Sequence, residues 1–341
     1  MSESDEIAKM LSDQLERLLI DTAGEHLEKP EAAARLLQAV EDMGLRMAFV
    51  PEEAGGAGLS PLLAREMISL LGYHAVPAGV GEAMLADWLI GLSGMEPPET
   101  PTLLATGDIT LSDGRLSGTL TALALPGAAS VLTSTNTGTL VLLDRADATE
   151  EQTLTGIARE TALRLTFADA PARVQGAATT VPVDMAVAAL RAAQIAGALT
   201  RVLDLCVEFA NTREQFGRPI GKFQAIQHLV ADLACETAAA QIAAGLALGG
   251  LSQPQPLGPV AAGKIRASIA AGKGAMLAHQ LHGAIGVTRE YVLQHLTRRL
   301  WQWRDDAGSE HLWSDRLGAE VLARGDAWQD VLDISGQRHV A

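Results

Sequence analysis

Arg213-Glu-Gln-Phe-Gly-Arg-Pro-Ile-Gly-Lys-Phe-Gln224 is the stretch on which the reading of this chain turns. Upstream, Leu190, Ala193, Ile195, Leu199, Val202, Leu203, Leu205 and Phe209 recur at roughly helical spacing on nearly all faces, so the spacing predicts a long buried helix over 183–211. A second apolar helical run begins near Phe223 and continues to about 250. Between them Gly217, Pro219 and Gly221 end the first helix and leave the backbone open to close approach. Arg213, Arg218 and Lys222 crowd this turn in a chain of net charge −15. Two readings are open: an anion site, or cations placed favourably at a helix C-terminus.

Working outward, helices are predicted at roughly 258–282 and 287–303, separated from the second by the proline-rich loop Ser252–Pro259. Four helices of this length form a bundle with one shared apolar core. The segment Gln280-Leu-His-Gly283-Ala-Ile-Gly286-Val-Thr288 interrupts the last two; its glycines admit close backbone approach and the following helix offers free N–H groups. His282 reads as a ligand or as a capped turn residue, the turn being favoured.

The N-terminal part is helical as well. Ile7, Met10, Leu11, Leu15, Leu18 and Leu19 make one amphipathic stripe, and Pro30 opens another that ends at Met43. Val50-Pro-Glu-Glu-Ala-Gly-Gly-Ala-Gly-Leu-Ser60 is a glycine loop with no strand before it, so it reads as a connector rather than a phosphate cradle. Ser60-Pro61 suits the start of a helix at Leu62–Leu71, and another is expected at Gly79–Leu92. Past the proline-rich stretch Gly94–Pro101 the pattern changes to short Thr-, Val- and Leu-rich runs. Ser112-Asp-Gly-Arg115 is a hairpin signal, and Val131–Ser134, Thr139–Leu143 and Leu163–Phe167 read as strands. The expected organisation is an N-terminal helical domain over 1–95, a small β domain over 96–178 and a C-terminal four-helix bundle over 179–341, mainly α with a small central β domain.

Composition narrows the function. Of 341 residues, 48% are hydrophobic and only 4% aromatic, which favours packed helices. Forty-one acidic against 26 basic residues argue against nucleic acid. Cys206 and Cys235 both lie in apolar helical runs and read as reduced core residues. No His/Cys/carboxylate cluster has metal-ligand spacing, so no metal is expected. The acidic N-terminus has no apolar signal core, and charged residues punctuate every apolar window of about 20, so no membrane span and a cytoplasmic location are expected.

Three of these segments together resemble the acyl-CoA dehydrogenase family, over nearly the whole chain. Val50–Ser60 is similar to its V-P-E-E-x-G-G-x-G loop, Arg213–Gly217 with Phe223-Gln224 to its R-x-x-F-G…F-Q segment, and Gln280–Gly286 to its Q-x-x-G-G-x-G segment. The resemblance implies FAD as cofactor, an acyl-CoA thioester as substrate, α,β-desaturation as the reaction and an electron-transfer flavoprotein as acceptor. It implies that Arg213, Phe216, Gln224, Gln280, Gly283 and Gly286 meet the adenosine and pyrophosphate half of a FAD held by a neighbouring subunit. An oligomer, dimer or tetramer, homomeric or heteromeric, is therefore expected, as is burial of a bundle apolar on more than one face.

The departures carry information. Ala284 stands where the family has a second glycine. Residues 96–175 contain neither the T-E-P-x-x-G-S-D segment nor the tryptophan strand that hold the flavin ring. Where most members place a catalytic glutamate, this chain has Arg304-Asp-Asp-Ala-Gly-Ser-Glu310, so Asp306 and Asp305 are the nearest candidates for the base. An acidic helix end is the bland alternative, with Glu310 solvated. The position that a minority of members use for the base, in the first bundle helix, is Val187, next to Ala188. Three functions are compatible with this pattern: a dehydrogenase with an unusual base, a non-catalytic subunit completing the FAD site of a heteromeric acyl-CoA dehydrogenase, or a scaffold that has lost flavin.

Overall fold

The computed structural model describes residues 2–22, 30–76, 79–135, 138–174, 181–325 and 327–334; the expected boundary at 178/179 lies outside them. Four helices come first: α1 (Glu3–Asp21), α2 (Pro30–Asp42), α3 (Arg65–Tyr73) and α4 (Val80–Leu92). Ser2 caps α1 through a reciprocal pair with Asp5, which satisfies two N-terminal donors at once. The Val50–Ser60 loop is a connector. Its amides are spent internally, with Ala57 N–H on Met47 O, Gly58 N–H on Val50 O and Leu59 N–H on Ala48 O. A Cβ at Gly56 would sit 2.0 Å from the Val50 carbonyl, so the tightness of this turn requires glycine.

The middle part is a pair of small sheets. β2 (Thr106–Ser112), β3 (Arg115–Leu123), β6 (Glu150–Thr155) and β7 (Thr161–Pro171) pair antiparallel in the order β2-β3-β7-β6. β1 (Thr102–Leu104), β4 (Ser130–Ser134), β5 (Leu140–Asp144) and β8 (Arg173–Val174) form the second, in the order β1-β4-β5-β8, with β1 parallel to β4. The Ser112–Arg115 hairpin is present; Asp113 and Gly114 both take positive φ, which matches the twist of the flanking strands.

The bundle consists of α5 (Val183–Thr212), α6 (Gln224–Gly250), α7 (Leu257–His282) and α8 (Leu293–Asp305). α8 starts six residues later than the spacing predicts, because Gly283–Val287 closes as a 3-10 turn first. Two helices beyond it, α9 (Glu310–Arg324) and α10 (Ala327–Ile334), were not expected. Trp313 of α9 is fully buried, and its indole N–H donates to Ala307 O, which fixes α9 against the end of α8. α5 is the central element: α3 crosses it so closely that a Cβ at Gly197 would meet Ser69 O at 1.8 Å.

One expectation is corrected. Cys206 is buried, but Cys235 is exposed on the outer side of α6, where no described element covers it. By length and composition α5 and α6 are both apolar enough to cross a membrane, which the scattered charges had argued against. In α5 that apolar surface is the bundle core, with 83% of the most apolar window buried; in α6 the figure is 33%. Among the described residues no group of three or more His, Cys, Asp or Glu is placed to hold a metal ion.

Candidate functional site

The sequence-predicted site residues fall at two ends of the bundle. At one end a cavity of about 600 Å³ opens between the β2-β3-β7-β6 sheet, the N-terminal part of α5 and the end of α8. Arg191 enters it from α5, Glu82 from α4, and Asp305 and Asp306 from the end of α8. Arg191 is 2% exposed, and a buried guanidinium is tolerated only with partners on its fork. Its Nη2 lies 2.5 Å from Glu82 Oε1, its Nε 3.0 Å from Asp306 Oδ2, and its Nη1 donates to Gln194 Oε1 at 2.6 Å. Burial works against the Arg191 charge, but attraction to Glu82 and Asp306 outweighs it and holds the pKa above the ordinary arginine value. Burial pushes the Asp306 carboxyl up, Arg191 pulls it back, and Glu82 adds repulsion. Glu82 does a second task, accepting from Gly79 N–H at the start of α4.

The sheet is pinned over this cavity by the loop between β6 and β7. Ala158 N–H donates to Gln302 Oε1 at 3.0 Å, and Glu160 pairs with Arg299 at 2.8 Å, both partners being buried. Burial, the largest influence, raises the Glu160 carboxyl.

The candidate bases therefore differ. Asp306 is committed to Arg191, while Asp305 lines the cavity from an exposed position. Val187 lines it too, and Ala188 is fully buried in the core. Arg191, three residues beyond Ala188 on α5, also enters the cavity. Arg191 and Glu82 were missed by the sequence reading. The available signal was a lone charge inside an otherwise apolar helix, which demands a buried opposite charge.

At the other end, the expected FAD contacts come together. Phe209, near the end of α5, stacks on His282, the last residue of α7, with ring centroids 4.5 Å apart. His282 is buried; Nδ1 lies 2.9 Å from Ala278 O and Nε2 3.1 Å from Tyr291 Oη, so it is the structural turn residue. This stack ties the Arg213–Gln224 turn to the Gln280–Gly286 turn. Arg213, Phe216, Gln224, Gln280 and Gly283 are exposed, and Gly286 is buried beneath them. Glu214–Gln215 and Arg218–Pro219 form a two-residue-loop hairpin with Phe216 and Gly217 at its tip, both at positive φ. Phe216 is 91% exposed. The Arg218 guanidinium lies 4.2 Å above the Phe223 ring. Phe223 caps α6 without a side-chain bond; Ile226 N–H and Gln227 N–H donate to Phe223 O, which leaves the Gln224 and Ala225 amides facing this turn.

The family model for the C-terminal domain of acyl-CoA dehydrogenases matches residues 185–302, the helices carrying both ends. Acyl-CoA dehydrogenase IpdE2 of Mycobacterium tuberculosis is 31% identical over 274 residues, 79% of this chain and 80% of that one. The chain belongs to the acyl-CoA dehydrogenase family. Two solved structures share the fold: the Tcur3481-Tcur3483 steroid acyl-CoA dehydrogenase, with a TM-score of 0.84, 24% identity and coverage of 95% of this chain and 99% of that one, and the ChsE4-ChsE5 complex from Mycobacterium tuberculosis, with a TM-score of 0.81, 22% identity and coverage of 96% and 99%. As an acyl-CoA dehydrogenase or a subunit of one, this protein belongs to FAD-dependent chemistry at the Cα–Cβ bond of an acyl-CoA thioester.

Proposed function

We propose that this chain is the partner subunit of a heteromeric acyl-CoA dehydrogenase, completing the adenosine side of a FAD whose ring and catalytic carboxylate belong to another chain. The observation that carries this reading is the Arg191 clamp. In the cavity where ring and acyl thioester would meet, the only deeply placed cation among the lining residues is held by Glu82 and Asp306. A base must bring a carboxylate oxygen into near contact with the α-proton. Asp306 has its Oδ2 on Arg191 instead. Glu82, Asp305 and Asp306 outnumber Arg191, so this wall does not fit a ring that gains negative charge on reduction.

The hairpin end fits the other half of the cofactor. Arg213 presents a planar fork suited to pyrophosphate, and the α6 N-terminus adds amides and its positive dipole end. Phe216 offers an exposed face for adenine. Arg191 and Arg213 are roughly 33 Å apart at about 1.5 Å of rise per residue along α5, longer than an extended FAD. The hairpin therefore serves a flavin other than one in this chain's own cavity. When bound, FAD supplies the acceptor for the β-hydride; the task of Arg213, Gln224 and the Gln280–Gly286 turn is to hold its adenosine diphosphate half in place. By extension, the electrons leave to an electron-transfer flavoprotein, and the location is cytoplasmic. Relatives in fold include a steroid acyl-CoA dehydrogenase and a two-component complex, in keeping with a paired assembly.

A homomeric enzyme with Asp305 as base is the second reading, favoured by the place of Asp305 on the cavity wall. Absorbance spectra separate the two. The chain purified alone is expected to be colourless, and to become part of a yellow complex bleached by acyl-CoA when combined with an acyl-CoA dehydrogenase chain that carries the ring-side segment. A lone chain that is yellow and bleached by acyl-CoA overturns the proposal.

A further inference from the structure

The cavity floor depends on a residue that does not touch it. The last turn of a helix leaves four carbonyls without intrahelical donors. In α8 they are all accounted for: Gln302 O accepts from Asp306 N–H, Asp305 O accepts from Gly308 N–H, and the remaining two, on Trp303 and Arg304, both accept from the Lys264 ammonium at 2.7 Å. Lys264 projects from the first third of α7 and is 0% exposed; its third contact is Ser268 Oγ at 3.1 Å. Cations at helix C-termini are normally surface side chains from the same helix. This one comes through the core from a neighbouring helix. α7 is pressed against α6 on its other side, where a Cβ at Gly263 would meet Ala243 O at 2.6 Å.

The clamp begins directly after this capped turn. Asp306 leaves the helix with extended ψ of 138°, and Ala307 and Gly308 take positive φ, so the chain reverses at once. The position of the Asp306 carboxylate is thus set by where α8 stops. We propose that Lys264 is a positioning residue for the cavity: by fixing the end of α8 it fixes the Asp306 carboxylate on Arg191. Asp306, Arg191, Glu310 and Asp305 are the charged groups that act on Lys264, so the ammonium also sits in the field of the clamp it positions. An apolar side chain of the same length would fill the space and leave the Trp303 carbonyl buried without a donor, a loss the turn relieves by moving.

The inference rests on the clamp geometry, not on the half-site reading, and its test needs neither flavin nor partner, so the two fail separately. The test is a double-mutant cycle on the full chain, read as denaturant unfolding midpoints of wild type, Lys264→Met, Asp306→Ala and the double variant. Residues in one network show coupling, either because one positions the other or because their charges act on each other directly, and a neutral donor at 264 separates the two. The shift caused by Asp306→Ala is expected to shrink by at least half when residue 264 is already Met. Glu160→Gln, which breaks the other buried pair on the same wall, is expected to add to Lys264→Met without coupling. Additive shifts for Asp306→Ala overturn the proposal, and so does a wild-type shift for Asp306→Ala too small to resolve. Lys264→Gln, which keeps N–H donors but not the charge, is run in the same cycle and stands alone where Lys264→Met yields no folded chain: with Lys264→Gln the Asp306→Ala shift is expected to stay close to that in wild type, and a shift cut by half or more there assigns the coupling to lost charge and overturns the proposal.

Discussion

The two ends of α5 treat charge in opposite ways. At its N-terminal end Arg191 is buried and its partners lie within the chain, on α4 and after α8. At its C-terminal end Arg213, Arg218 and Lys222 are exposed and have no acidic partner among the described residues. A cation satisfied internally serves the fold; a cluster of cations left facing solvent beside unspent helix amides in an acidic chain is available to an anion. The contrast places stability at one end and, under the proposed function, cofactor contact at the other, and each can be broken separately.

The largest expected effect is at the closed end. Arg191→Met leaves Glu82 buried and Asp306 half-buried without their counter-ion, and removing one partner from a buried pair costs about 3–5 kcal/mol. Denaturant unfolding should detect this, and a loss under about 1 kcal/mol, the scale of an exposed ion pair, would mean the clamp holds nothing. At the open end Arg213→Ala should do the reverse. A charge-assisted fork contributes about 1.5–3 kcal/mol, so FAD binding by the assembled complex should weaken roughly 10- to 100-fold, with Arg213→Lys restoring only part because it loses the fork. The same variant should change the stability of the chain by only a few tenths of a kcal/mol, the scale of a helix-end cation. Equal flavin titrations for wild type and variant would reduce Arg213 to that second role.

A pH series sharpens the comparison from inside the core. Burial pushes Lys264 down to about 7 from an ordinary 10.5. Between those values the unfolded chain carries a proton that the folded chain does not, so stability rises with pH; below about 7 both states are protonated and the cost of burying the ammonium is fully present. Relative to Lys264→Met, wild type should therefore gain stability from about pH 7 to about pH 10; a parallel pair of curves would contradict this. The smallest effect belongs to Phe216→Ala. With the ring 91% exposed, the unfolding free energy should stay within about 0.5 kcal/mol of wild type, while flavin affinity of the complex falls. A destabilised variant would move Phe216 to the structural side of the contrast.

Much of the architecture was legible because it is written in local periodicity. The helical runs around Leu199, Ala240 and Ala271, and the Asp113-Gly114 turn, each come from spacing or backbone chemistry within a few residues. The late start of α8 was not legible, since whether Gly283–Val287 continues a helix or closes a 3-10 turn is decided by packing under Gly286, where a Cβ would sit 3.0 Å from the Leu293 side chain. Cys235 misled for a related reason: an apolar neighbourhood in sequence says nothing about whether another element covers it.

The sequence by itself determined the family, the order of helical and β parts, and the turn that gathers Arg213, Phe216 and Gln224, because motifs of this kind are contiguous and their chemistry needs no distant partner. Only the tertiary structure decided the fate of the candidate carboxylates. Asp305 and Asp306 are neighbours in the chain, yet one is exposed on the cavity wall and the other is locked to Arg191, with Glu82 opposite. The ionic partners come from three separated segments, and a fourth, carrying Lys264, fixes the helix end between them. Burial and pairing of charge depend on distances that no local spacing encodes, and those distances set which groups serve the fold and which remain for a ligand.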